Sequence, residues 1–303
     1  MTCSQVLAIY AEDHAPTVAD PARIAYAIDA LEPFWGPHPV DYIRGETCRL
    51  YQKHRGRADA TVRRELGTLR AALNFCAAEG YLIGVPVVSL PAKPEAEERW
   101  LTRQQAAVLL WATRQLRIDG KQQMQRFILA SIYTGTRRRA TLALGIDVPR
   151  TDAGWIDTQR GMIYRKGTQE RSTGKRRKPA KCPERLLAHV RRWKRLGALY
   201  VCEDYRGNRV ANLRKAWDNL CAIAYEIAEQ EGIDMPERDH LTPHILKHTA
   251  ITWAMQNGAK IEDAASFFST SIETIQRTYW HHSPYHQESA VQAMDNPVKL
   301  RKG

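Results

Sequence analysis

Thr242-Pro243-His244-Ile245-Leu246-Lys247-His248, with Thr278-Tyr279-Trp280-His281-His282 about thirty residues further on, decides the reading of this chain. A threonine followed by proline is a strong helix start. The hydroxyl caps free N–H groups, and proline takes the first helical position, where no N–H is needed. On such a helix His244 and Lys247 stand three residues apart on one face, at the positive end of the helix dipole. Leu246, Ala250 and Trp253 mark another face, suited to a core. Downstream, Ile272, Ile275 and Tyr279 follow helical spacing, and Thr270-Ser271-Ile272-Glu273 reads as a capping box. A tyrosine on such a stripe is ordinarily a core residue. Beside a histidine and a lysine at a helix start, it also has a chemical use.

One such use is phosphoryl transfer. Cutting a phosphodiester while keeping its bond energy requires a nucleophile that holds the phosphate covalently. A tyrosine hydroxyl has an ordinary pKa near 10, so about one in a thousand is ionised at neutral pH. The reaction therefore depends on cations around the non-bridging oxygens and on a proton donor for the leaving oxygen. Upstream, Thr134-Gly135-Thr136-Arg137 offers one such cation: Thr136 is placed to cap a new helix, which sends Arg137 out of its first turn. A solvated basic turn of Arg137, Arg138 and Arg139 is the plainer alternative, as is a structural His244 beside a surface Lys247. A metal site at His281, His282 and His286 is set aside, since no carboxylate or cysteine completes the set.

Composition points to a polyanionic partner. The 303 residues carry a formal net charge of +12 with a pI near 9.5. An anionic membrane would also attract such a chain, but no apolar run reaches the roughly 20 residues needed to span. The opening Met1-Thr2-Cys3-Ser4-Gln5 lacks the basic-then-apolar pattern of a signal peptide. Cys3, Cys48, Cys76, Cys182, Cys202 and Cys221 are scattered without a C-x-x-C pair, which argues against a disulfide framework or zinc site. The expectation is a cytoplasmic protein with reduced thiols.

Two domains fit the length. The stretch 90–99, with Pro91, Pro94 and a charge run, breaks any regular period and reads as a linker. Domains are expected over 1–92 and 101–303, joined by 93–100. In the first, Val62, Leu66, Leu69, Leu73 and Cys76 draw one apolar stripe on a helix over 61–80, with Arg63, Arg64 and Arg70 off the stripe and Gly80 as the stop. In the second, Thr102 is a plausible N-cap, and the apolar segment 127–133 runs to Gly135. Short strands follow at 155–157 and 161–164, then a helix presenting Leu186, Leu187, Val190 and Trp193, and a long helix over about 212–231. The second domain is mostly helical with a small sheet near its start.

The two motifs, read with Thr134-Gly135-Thr136-Arg137, resemble the catalytic scaffold of the tyrosine recombinase (phage integrase) family. The resemblance covers nearly the whole chain. It implies a mainly α fold with a small β-sheet: a helical N-terminal core-binding domain plus an α+β catalytic domain, together a C-shaped clamp on duplex DNA. No additional arm-binding domain is expected ahead of the first. Tyr279 corresponds to the nucleophile, which forms a 3′-phosphotyrosyl link and releases a 5′-hydroxyl. Arg137, His244 and Lys247 correspond to the cations on the phosphorane. Lys175, counted back from Pro183, corresponds to the general acid, with Lys166 the alternative because it follows the strand more directly. Arg63, Arg64, Arg70, Lys166, Arg176, Arg177 and Lys178 are the expected DNA contacts. The partners implied are double-stranded DNA and further copies of the chain, as a tetramer on paired sites, with no cofactor, metal or membrane. Three positions depart from the family pattern: Ala140 where an acid orients the first arginine, Lys247 where the H-x-x-R box has arginine, and Thr270 where a histidine or tryptophan stands. They keep open a non-catalytic DNA-binding relative. A type IB topoisomerase-like relaxer, which shares the chemistry, is the other alternative.

Overall fold

The computed structural model of the chain describes residues 1–93, 99–116, 123–170 and 177–295. The chain divides into two compact units, Met1–Ala96 and Glu97–Gly303.

The first unit is helical: α1 (Cys3–Ile9), α2 (Pro21–Trp35), α3 (Gly45–Arg55) and α4 (Asp59–Ala78). Helix α4 packs on the other three. Its stripe Val62, Leu66, Leu69, Leu73 and Cys76 is fully buried and meets Leu7, Leu31, Trp35 and Tyr51. The helix lies two residues earlier at each end than the expected 61–80, and Gly80 stands just past its end. Gly80 takes φ +83°, and Tyr81 N–H donates to Cys76 O at 2.8 Å, closing the last turn. One charge enters this core. The Glu65 carboxylate accepts Tyr51 Oη–H at 2.6 Å and the Arg55 fork at 2.9 and 3.1 Å, so its desolvation is offset by three bonds. Arg64 and Arg70 are exposed, whereas Arg63 is half-buried and donates to the Pro91 carbonyl.

The second unit contains α5 (Arg103–Ala112), α6 (Gln123–Thr134), α7 (Arg138–Leu142), a four-stranded sheet, α8 (Glu184–Arg195), α9 (Arg214–Glu231), α10 (Ile245–Gln256), α11 (Ile261–Phe267), α12 (Ile272–Thr278) and α13 (Glu288–Asp295). Thr102 caps α5 in a capping box with Gln105. Helix α5 packs on α9, and α6 on α10. The sheet runs β1 (Gly145–Ile146), β2 (Trp155–Asp157), β3 (Met162–Tyr164) and β4 (Ala180–Lys181), with only the first pair parallel. Ile146, Ile156 and Ile163 share one core with Leu186, Leu187, Val190 and Trp193 of α8. A second, smaller core gathers Ile251, Met255, Ala264, Phe268, Ile275 and Tyr279. Strand β3 delivers the chain to Arg165, and the turn between α11 and α12 carries Phe268 and Ser269. These two segments and the α6–α7 turn are what the site is made from.

Three helix starts differ from expectation. Helix α7 begins after Arg137, not Thr136, which is buried and bonded elsewhere. Helix α10 begins at Ile245 with His244 at the cap, because Thr242 and Pro243 form a preceding turn closed by Ile245 N–H on Thr242 O at 3.0 Å. Helix α12 is capped by the Ser271 hydroxyl, which accepts Thr274 N–H at 3.1 Å, one residue later than the Thr270 box. Runs of Ser and Thr offer adjacent caps of similar worth, so sequence alone does not choose between neighbours. All six cysteines are buried, and none forms a disulfide. Among the described residues, no helix is long and apolar enough to cross a membrane.

Candidate active site

Gly135 ends α6 with φ +57°, and a Cβ there would lie 2.4 Å from Phe268 Cδ1. Only glycine permits both the left-handed turn and this approach. Gly135→Ala should therefore cost about 1–3 kcal/mol in strain and overpacking, read as a lower urea midpoint at unchanged slope. Beyond the turn, Thr134 and Thr136 fold back on each other, with hydroxyls 2.7 Å apart. This loop presents Arg137 to a cavity of about 630 Å³ in the second unit.

Six other basic residues line that cavity with Arg137: Arg138, Arg139, Arg165, Arg177, His244 and Lys247. Arg165 is 4% exposed, and among the described residues no carboxylate pairs with it. Its guanidinium donates to Thr136 Oγ1 at 3.1 Å, Thr134 O at 3.0 Å, Lys178 O at 3.2 Å and Ser269 Oγ at 3.5 Å. Ser269 Oγ also accepts Lys178 N–H at 3.1 Å. One arginine thus ties the α6–α7 turn, the segment entering β4 and the α11–α12 turn together. It does so with neutral acceptors alone, and burial pulls its pKa down to about 10. Arg177 differs: it is half-buried and ion-paired with Glu170, whose second oxygen accepts Gly167 N–H at 3.2 Å.

Lys247 projects from the first turn of α10 and is 8% exposed. Its Nζ donates to Phe268 O at 3.4 Å. Burial lowers its pKa to about 8, helped by the Arg137 and Arg165 charges. Arg137 is lowered too, by burial and then by Arg177, and among the described residues no carboxylate pairs with it. Mutually destabilising cations around an open cavity make an anion site, because a phosphate would relieve both the repulsion and the lost hydration. His244, exposed at the mouth, lies edge-on to His248 with ring centres 4.8 Å apart.

Tyr279 does not line the cavity. It is 4% exposed in the smaller core, and its hydroxyl lies 2.7 Å from His248 Nδ1. Burial raises its pKa to about 12. The expected stripe is only partly a core stripe: Ile275 is buried beside Tyr279, but Ile272 is 46% exposed at the first turn of α12. Ala140 and Thr270 are half-buried.

Of the residues singled out in the sequence, Arg137, Arg177, His244 and Lys247 come together on one cavity. Lys178 is exposed beside it and Lys166 half-buried just after β3. Lys175 and Arg176 lie outside the described residues. Sequence reasoning passed over His248, Arg165, Glu170 and Ser269. His248 carried a signal, since it stands on α10 one residue past Lys247. Arg165 carried little, being one basic residue among many in 165–178.

The sequence matches no protein-family model and none of the curated proteins. The structure does have relatives. The Tn1549 transposon integrase in complex with transposon right end DNA superposes with a TM-score of 0.70 at 15% identity, over 98% of this chain and 100% of that one. The same integrase with circular intermediate DNA gives 0.69 at 15% identity, over 97% of this chain and 100% of that one. A lambda integrase dimer bound to a COC′ core site gives 0.63 at 12% identity, over 92% of this chain and 77% of that one. At such identities it is the fold that is shared: this chain is built as the Tn1549 and lambda integrases are built.

Proposed function

We propose that the chain is a site-specific DNA recombinase that cuts and rejoins strands through a tyrosine. The observation that carries this reading is one cavity lined by Arg137, Arg165, His244 and Lys247, whose two carboxylates, Asp152 and Glu170, are each paired with arginine, with a tyrosine hydroxyl held against the same helix α10. Arg137, His244 and Lys247 would neutralise the phosphorane, and Tyr279 would attack it once bound DNA brings the phosphate and the Tyr279–His248 pair together. Bond energy stays in the phosphotyrosyl link, so the reaction requires neither nucleotide nor metal. Lys175 or Lys166 would protonate the leaving oxygen. Lys166 gains weight from its place directly after β3, next to the Arg165 staple. A non-catalytic binder remains the second reading, favoured by the withdrawal of Tyr279 from the cavity. Trapping separates the two: nicked duplexes from the DNA flanking the chain's own gene should yield a denaturant-resistant adduct, and a protein that binds one such site specifically yet never forms an adduct would be the binder.

Binding should fall steeply with salt, with a slope of log affinity on log salt of about −0.9 per phosphate contacted. Arg64 and Arg70 in the first unit and Arg177 and Lys178 in the second are the proposed contributors. Neutralising both sets should weaken binding and flatten the slope in a filter-binding titration; an unchanged slope would exclude them. The chain's last described helix supports assembly. Helix α13 exposes Val291 and Met294, the latter at 81%. Too short to be stable alone, it would dock on a neighbouring protomer. Truncation at Pro284 should leave single-site binding intact and abolish cooperative pairing in a gel-shift assay. Full pairing by the truncated chain would refute this role.

A further inference from the structure

We infer that His248 is the general base of the proposed reaction: Nδ1 takes the Tyr279 hydroxyl proton as the phenolic oxygen attacks phosphorus. The inference rests on the recombinase reading above and adds a residue whose role there was empty. Three observations carry it. The Tyr279 hydroxyl lies 2.7 Å from His248 Nδ1, a hydrogen-bond distance that needs no rearrangement for transfer. Tyr279 is 4% exposed and packs in the apolar cluster with Ile275, Phe268 and Ile251, so water has little access to it. Both rings are held: Tyr279 at the end of α12, and His248 on α10 one residue past Lys247, its ring also edge-on to His244. A nucleophile and a cavity cation are therefore placed from one helical turn.

The step balances without a further reactant. With Nδ1 unprotonated, Tyr279 Oη–H donates to it. As the Oη–P bond forms, the P–O5′ bond breaks and the tyrosine proton moves to Nδ1, leaving an imidazolium. The departing 5′ oxygen takes its proton from the general acid, a separate group. In the return step the incoming 5′-hydroxyl gives its proton back to the general acid as it attacks phosphorus; the Oη–P bond breaks, and the imidazolium returns its proton to the departing phenolate oxygen. Burial makes this transfer necessary, because the free phenolate is disfavoured well beyond its ordinary range.

Asparagine separates a base from a support, because its amide oxygen can accept the tyrosine hydrogen bond near the Nδ1 position but cannot take the proton. On nicked duplexes carrying the sequence the wild-type protein selects from a random pool, both His248→Asn and His248→Ala should slow adduct formation by about 100-fold or more. Duplex affinity should stay within a few-fold of wild type. A substrate with sulfur at the leaving 5′ position needs no proton donor, and the deficit should persist on it. Placing a fluorinated tyrosine of lower pKa at position 279 should narrow the gap between His248→Asn and wild type, a rescue that a folding defect would not show. A His248→Asn protein reacting at the wild-type rate overturns the base role and leaves the recombinase reading intact. So does a deficit that disappears on the sulfur substrate, which would make His248 the acid. A wild-type protein that forms no adduct overturns the recombinase reading itself.

Discussion

Tyr279→Phe should abolish the covalent protein–DNA adduct while leaving duplex affinity within a few-fold of wild type. The two readouts separate because the tyrosine and the cations occupy different places. The ring belongs to the smaller core with Ile275 and Phe268, and phenylalanine keeps that packing. The hydroxyl bonds His248, so removing it costs about 0.5–1.5 kcal/mol of stability, the net worth of one hydrogen bond. Arg137, His244 and Lys247 face a cavity that Tyr279 does not line, so phosphate binding has no reason to fall. The chemistry has nothing to replace the nucleophile. Trapping on a nicked duplex, followed by denaturing electrophoresis, reads the adduct directly. An undiminished adduct with the phenylalanine variant would move the nucleophile elsewhere, to Tyr285 first, since it is exposed six residues on.

Periodicity made much of this molecule legible before any coordinates. The α4 stripe, the short strands around 155–164 and the long α9 helix all follow from side-chain spacing, and each is present with bounds shifted by a residue or two. The grouping of Arg137, His244 and Lys247 was legible from motifs. What was hidden depends on three-dimensional neighbours with no fixed spacing. Arg165 matters because Thr134, Thr136, Lys178 and Ser269 converge on it from sequence positions up to 104 residues away. His248 matters because α12 returns Tyr279 to α10, a contact across 31 residues. Ala140 and Thr270 were read as missing parts. The structure supplies one answer: the Arg137 loop is braced by Arg165 through Thr134 and Thr136, not by an acid three residues on. It supplies no counterpart for Thr270.

The Lys247 substitution is where departure from the family pattern and physical chemistry meet. Lys247→Ala should raise the cleavage barrier by about 2–4 kcal/mol, or about 30- to 1000-fold in rate, the scale of losing one preorganised donor to the developing charge. Cleavage at the wild-type rate would remove Lys247 from the site. The wild-type profile should also carry a signature that arginine would not. With the folded pKa near 8, Lys247 is cationic below that pH and loses its charge above it. Under subsaturating DNA, cleavage should therefore fall as pH rises through about 8, since that regime reports the free enzyme. Lys247→Arg should remove this alkaline fall. The pocket will either accept the planar fork and keep its rate or exclude it and lose rate at every pH. Stability should run the other way. A lysine whose pKa drops on folding is a cost at neutral pH, where both states carry the proton. That cost is relieved as pH climbs from about 8 towards 10.5, because the unfolded chain then binds more protons. Lys247→Met, apolar and of similar length, should for the same reason melt higher than wild type at pH 7 without DNA, while cleaving as poorly as Lys247→Ala. A methionine variant that is both less stable and equally active would mean that Lys247 is a structural residue held by Phe268 O, and the charge argument for this cavity would fail with it.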